Sequence, residues 1–165
     1  MKEQVQSLIE ALREELQQYG EMLARLNDQQ ELVVRRAADE LLQSVANIQT
    51  QAAIIHTARD YRAACQRELN TAVGLPAESA FADLLPRLPQ ELRPLVAALV
   101  QENNELLFRV HQRTRQNHVL LSRSVELMSR LISTLFPAAE STVYNVGGNV
   151  FTRTVHGRQL YEAIG

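Results

Sequence analysis

His111 and His118 are the side chains best suited to hold a metal, and their spacing argues against it. Seven residues apart, they fall near one helix face. A helical zinc pair stands three or four apart and adds an acidic third ligand, and none is close. Cys65, the sole cysteine, has no histidine at a useful spacing and can form no intrachain disulfide; it reads as a small buried side chain. Gly147-Gly148 follows no strand-to-helix turn, so it does not read as a phosphate loop. No nucleophile elbow and no carboxylate pair at a strand end occurs. The chain is expected to be no enzyme and to need no metal or cofactor.

Arg109, Arg113, Arg115, Arg123 and Arg130 form the one basic cluster, opposed only by Glu126. Nucleic acid is the sharp reading of such a cluster. An internal match is the favoured one. Residues 1–40 hold nine acids (Glu3, Glu10, Glu14, Glu15, Glu21, Asp28, Glu31, Asp39, Glu40) against five bases. A basic helix can lie beside an acidic one, as charges flank a coiled-coil seam. No aromatic residue interleaves the arginines to stack on bases. With 17 basic and 19 acidic residues, the whole chain exerts no global pull toward nucleic acid or anionic lipid.

The elements carrying these residues are helical. Leu, Ala, Gln, Glu and Arg dominate, and all favour helix. Gly20 is the only glycine or proline before residue 74. Over 3–37, Val5, Leu8, Ile9, Leu12, Leu16, Tyr19, Leu23, Leu26 and Val33 step by three or four, a narrow stripe like a coiled-coil seam. Asp39 is a candidate N-cap for a second helix over 39–73, striped by Leu42, Val45, Ile48, Ala52, Ile55, Arg62, Leu69 and Val73. The pair reads as an antiparallel hairpin; one continuous rod of about seventy residues is the rival. Gly74 and Pro76 end the second helix. A short helix is expected over 77–85, with Phe81, Leu84 and Leu85 inward. A last helix is expected over 89–136, striped by Leu92, Leu95, Leu99, Leu106, Val110, Leu121, Met128, Leu131 and Leu135, with Thr114 and Asn117 interrupting the seam. The expected fold is therefore all-α: a long antiparallel hairpin plus a longer third helix, over 1–136, then a tail over 137–165.

At about 1.5 Å per residue the first two helices span about 50 Å and the last about 70 Å. The end of the last helix should then outrun the hairpin and expose Met128, Leu131, Ile132, Leu135 and Phe136, the kind of patch that marks a partner site. A bent helix, a folded-back tail or a second copy would also cover it. The tail holds two β-prone runs around Gly147-Gly148, compatible with a hairpin, and "GRQLYEAIG", compatible with a helical turn or two. Both are too short to be stable alone. No run approaches eighteen apolar residues, so no membrane insertion is expected, and the charged N-terminus is unlike a signal peptide. A cytoplasmic protein is expected.

The stretch "GLPAESAFADLLPRLPQELRPLVAALVQENNELLFRV", then "NHVLLSRSVELMSRLISTLFP" and a tail with Tyr-x-x-Gly-Gly, resembles the flagellar export chaperones of the FlgN type. The likeness is sharpest from Leu120 to Tyr144. It implies a cytoplasmic helical chaperone that holds hook–filament junction proteins (FlgK- and FlgL-like) and delivers them to the flagellar type III export gate. It further implies that the C-terminal segment engages the client. Carried onto this chain, that segment comprises Val125, Met128, Leu131, Ile132, Leu135 and Phe136. The tail residues Val143, Tyr144, Val150, Phe151, Leu160, Tyr161 and Ile164 would join them. A structural coiled-coil protein that forms a homodimer or larger assembly through the same segment is the alternative.

Overall fold

A computed structural model describes residues 2–135, 143–144 and 150–151. The element order is α1 (Lys2–Arg35), α2 (Ala38–Ala72), α3 (Phe81–Leu84), a 3-10 turn (Leu85–Arg87), α4 (Arg93–Leu135), β1 (Val143–Tyr144) and β2 (Val150–Phe151). The protein is all-α, with three long helices and one short β pairing among the described residues. The chain divides into two compact units, Met1–Ser122 and Arg123–Gly165.

α1 and α2 are separate helices, so the single-rod reading is overturned. The break is at Arg36, whose φ of 58° lies in the left-handed region. Its amide bonds Val33 O (3.2 Å) and the Ala37 amide bonds Leu32 O (3.1 Å), which together close α1 in a Schellman motif. α2 ends in the same way. Gly74, with φ 79°, donates to Thr71 O and Leu75 donates to Asn70 O (2.8 Å). Glycine adopts that backbone without penalty, whereas Arg36 gives up about 1–2 kcal/mol to hold it.

Several boundaries differ from the sequence reading. Ala37, not Asp39, occupies the N-cap of α2, without a side-chain cap. Asp39 and Glu40 sit in the first turn, where their charge favours the helix dipole. The helix expected over 77–85 shrinks to α3 and the 3-10 turn. The Asn70 amide holds Ala77 O (2.8 Å) and Ser79 O (2.9 Å), and Gln66 also donates to Ser79 O; this pins the preceding loop to α2. α4 starts at Arg93 because the turn before it is closed by the Leu92 and Arg93 amides on Pro89 O.

Within Met1–Ser122, α1 is the central element. Bonds from Gln51 to Gln18 and from Arg62 to Glu15 tie α2 to it in antiparallel fashion. α4 runs parallel to α1. Asn103 Nδ2 donates to Leu12 O (2.9 Å) and Asn117 Nδ2 donates to Leu26 O (2.7 Å), each across 91 residues. Equal offsets at two heights require the same direction and one heptad register. The offset also matches Val5 with Val96 and Tyr19 with Val110, and all four are buried. Asn117 thus does not interrupt the seam; it fixes it.

Apolar and polar layers alternate along α1. The lower core joins Val5, Leu8, Ile9, Leu12, Leu69, Leu84, Leu88, Val96 and Leu99, and the upper core joins Tyr19, Met22, Leu26 and Val110. Between them lie the buried polar residues Glu15, Gln18, Gln51 and Asn103. The buried seam of α2 follows Gln51, Ala58 and Cys65, seven apart, beside Leu69. Leu42 lies off this line and is exposed, contrary to its expected place in the stripe; Leu95 is likewise exposed on α4.

Candidate functional site

The α1-facing line of α4 is Val96, Asn103, Val110 and Asn117, and its spacing continues through Ser124 to Leu131. A second line is Val100, Leu107, Thr114, Leu121, Met128 and Leu135. One apolar face therefore runs the length of the helix. Its environment does not stay the same. Val96, Leu99, Asn103, Val110 and Asn117 are buried. From Arg123 onward every described α4 side chain is exposed. Val125, Met128, Leu131 and Ile132 have between 52% and 66% of their surface open. Leu127, absent from the expected set, is 67% exposed. Its signal was a third heptad line through Leu106, Arg113 and Leu120.

Leu135 is the last residue of α4. Val143 and Tyr144 pair antiparallel with Phe151 and Val150, respectively. A two-residue turn at Gly147-Gly148 would pair Tyr144 with Phe151, and the observed register pairs it with Val150 instead. Phe136, Leu160, Tyr161 and Ile164 lie outside the described residues.

The polar layer is the other chemically distinct region. The buried Glu15 carboxylate accepts from Tyr19 Oη (2.8 Å) and Arg62 Nε (2.9 Å), with Arg59 Nε at 3.9 Å. Arg62 also lies over the Phe81 ring, 5.9 Å from its centroid. Burial first, and then the Glu15 hydrogen bond, raise the Tyr19 pKa well above its usual value. Every charged member has a partner, so the cluster reads as a structural clasp between α1 and α2.

The internal charge match expected between α4 and α1 does not form among the described residues. Arg130 pairs with Glu126 of its own helix, and the interhelical ion pairs are those of Glu15 with Arg59 and Arg62 of α2. The reason is register. The α1-facing line of α4 carries Asn and Val, and Arg113, which does reach α1, meets the neutral Gln30 there.

Among the described residues, no group of three His, Cys, Asp or Glu could hold a metal, and no helix is long and apolar enough to cross a membrane. The described residues form an all-α bundle, and the last turns of α4 present Val125, Leu127, Met128, Leu131 and Ile132 as an exposed apolar face. The FlgN protein family model matches residues 1–150, and the chain belongs to that family, one of flagellar export chaperones. No curated protein and no solved structure matches the chain.

Proposed function

We propose that this chaperone holds hook–filament junction proteins of the FlgK and FlgL kind in the cytoplasm, prevents their premature assembly, and hands them to the export gate. A client's amphipathic terminal segment docks as a helix on Val125, Met128, Leu131, Ile132 and Leu135. Phe136 joins this docking set, and residues 137–165 then close over the client through Val143, Tyr144, Val150, Phe151, Leu160, Tyr161 and Ile164. The exposed continuation of the α4 face carries this reading. Ordering client and tail together costs several kcal/mol, which leaves moderate affinity and permits release. The chemistry needs no metal or cofactor from the chaperone.

The test is capture of a hook-associated client by the full chain, by the chain lacking residues 137–165, and by Leu131→Asp and Phe151→Ala. All three variants should keep their helical circular-dichroism signal and lose capture. A change in mass by light scattering on tail deletion, with no client present, would favour the self-assembly reading instead.

A further inference from the structure

We propose that the outer edge of α4 at Arg109, Arg113 and Arg115 receives carboxylates that flank the client's amphipathic segment and steer it onto the chaperone; the inference rests on the client reading above. Twenty residues of α4 between Glu105 and Glu126 carry four arginines and no acid. None of Arg109, Arg113 and Arg115 has an ion-pair partner among the described residues. The Arg113 guanidinium donates to the neutral Gln30 amide. The edge is therefore a set of cations that the fold leaves uncompensated.

Its shape limits what it takes. A shallow groove of about 650 Å³ is lined by Gln30, Arg113, Arg115, Gln116, Val119 and Leu120. Val119 is 41% exposed, so an apolar contact is available between the charges. Arg109 and Arg113 stand one helical turn apart, which matches carboxylates at the same spacing on a partner helix. A phosphate chain fits less well. No aromatic side chain lines the groove to stack on bases. On the α1 side, the exposed Glu31 lines the neighbouring groove with Gln30 and opposes a continuous polyanion.

Exposed ion pairs add little to equilibrium affinity, so the effect belongs mainly to the association rate and its salt dependence. The probes are two synthetic amphipathic peptides with leucine at every third or fourth position, one flanked by Glu and one by Lys, and the hook-associated client itself. Binding to the full chain is followed by stopped flow. At 50 mM salt the Glu peptide should associate about tenfold faster than the Lys peptide, and the gap should fall below about twofold at 500 mM. Arg109→Gln/Arg113→Gln/Arg115→Gln should erase the gap and slow client association about as much, with helicity unchanged. An unchanged gap, or unchanged client association, overturns the inference. A 20-base-pair duplex that displaces the Glu peptide at 200 mM salt assigns the edge to nucleic acid instead. Leu131→Asp separates the two ideas. If it leaves capture intact, the docking reading fails; if it abolishes capture while the triple variant changes nothing, only the basic edge fails.

Discussion

The two stretches of α4 share one spacing and meet opposite fates. Arg93–Ser122 lays its heptad positions against α1 and buries Val96, Leu99, Asn103, Val110 and Asn117. Arg123–Leu135 repeats the pattern with larger apolar side chains and buries none of those described. The difference teaches that periodicity reports which face of a helix wants a partner, not whether this chain supplies one. The first stretch even tolerates two asparagines at seam positions, because an α1 backbone carbonyl accepts from each side-chain NH2 group. The second carries leucine, isoleucine and methionine with no such provision.

Substitution along the shared line breaks or sharpens the contrast. Val110 and Leu131 lie three heptads apart. Val110→Asp should cost about 3–4 kcal/mol in urea denaturation, since it buries an unpaired carboxylate. Leu131→Asp should change stability by less than about 0.5 kcal/mol. Equal losses at the two positions would end the comparison. Arg62→Met tests whether the clasp belongs wholly to the first stretch's scaffold. It should cost about 3 kcal/mol by stranding the buried Glu15 carboxylate, while client capture by the folded fraction stays intact. The same clasp sets an alkaline limit. Tyr19 has its pKa raised in the fold, so its contribution is complete below the ordinary tyrosine range. It is lost as pH rises from about 10, where the unfolded phenol ionises first. Absorbance titration should show one tyrosine that ionises only with unfolding. At the hairpin tip, Arg36→Gly should raise stability by about 1 kcal/mol by relieving the left-handed backbone. Gly20→Ala should add up to about 1 kcal/mol, because a Cβ there meets only Leu106 Cδ2, at 4.0 Å. Neither of these last two changes should alter client capture.

Much of this was legible from spacing. The narrow stripe of α1 gave Val5, Leu8, Ile9, Leu12, Tyr19 and Leu26 as buried; Leu16 and Leu23 are half-buried, and the buried Ala11 and Met22 lay outside the stripe. Gly74 marked the end of α2 because its permitted backbone is unusual. What spacing hid was polar. Asn117 looked like a flaw in a seam, since an amide's value depends on a carbonyl presented by a helix ninety-one residues away. Glu15 looked like one more surface acid, because a carboxylate's burial depends on Arg62 arriving from α2. Leu42 failed for the converse reason: an apolar residue fits a periodic template whether or not the neighbouring helix reaches it. Of the candidate site, the exposed residues on α4 were foreseeable as a face. The two-residue strands were foreshadowed only by the β-prone runs on either side of Gly147-Gly148.

The constant offset between α1 and α4 makes the length of this protein a quantised property. Both asparagines stand two heptads apart, and so do the carbonyls that receive them. An insertion of any number other than seven in one helix would rotate its amides away from their acceptors. Seven in one helix alone would carry Asn117 off the Gln29 side chain that shares its amide. Growth or shrinkage that keeps the fold must therefore come in whole heptads, added to the rods together, and an alignment of relatives should show gaps in multiples of seven.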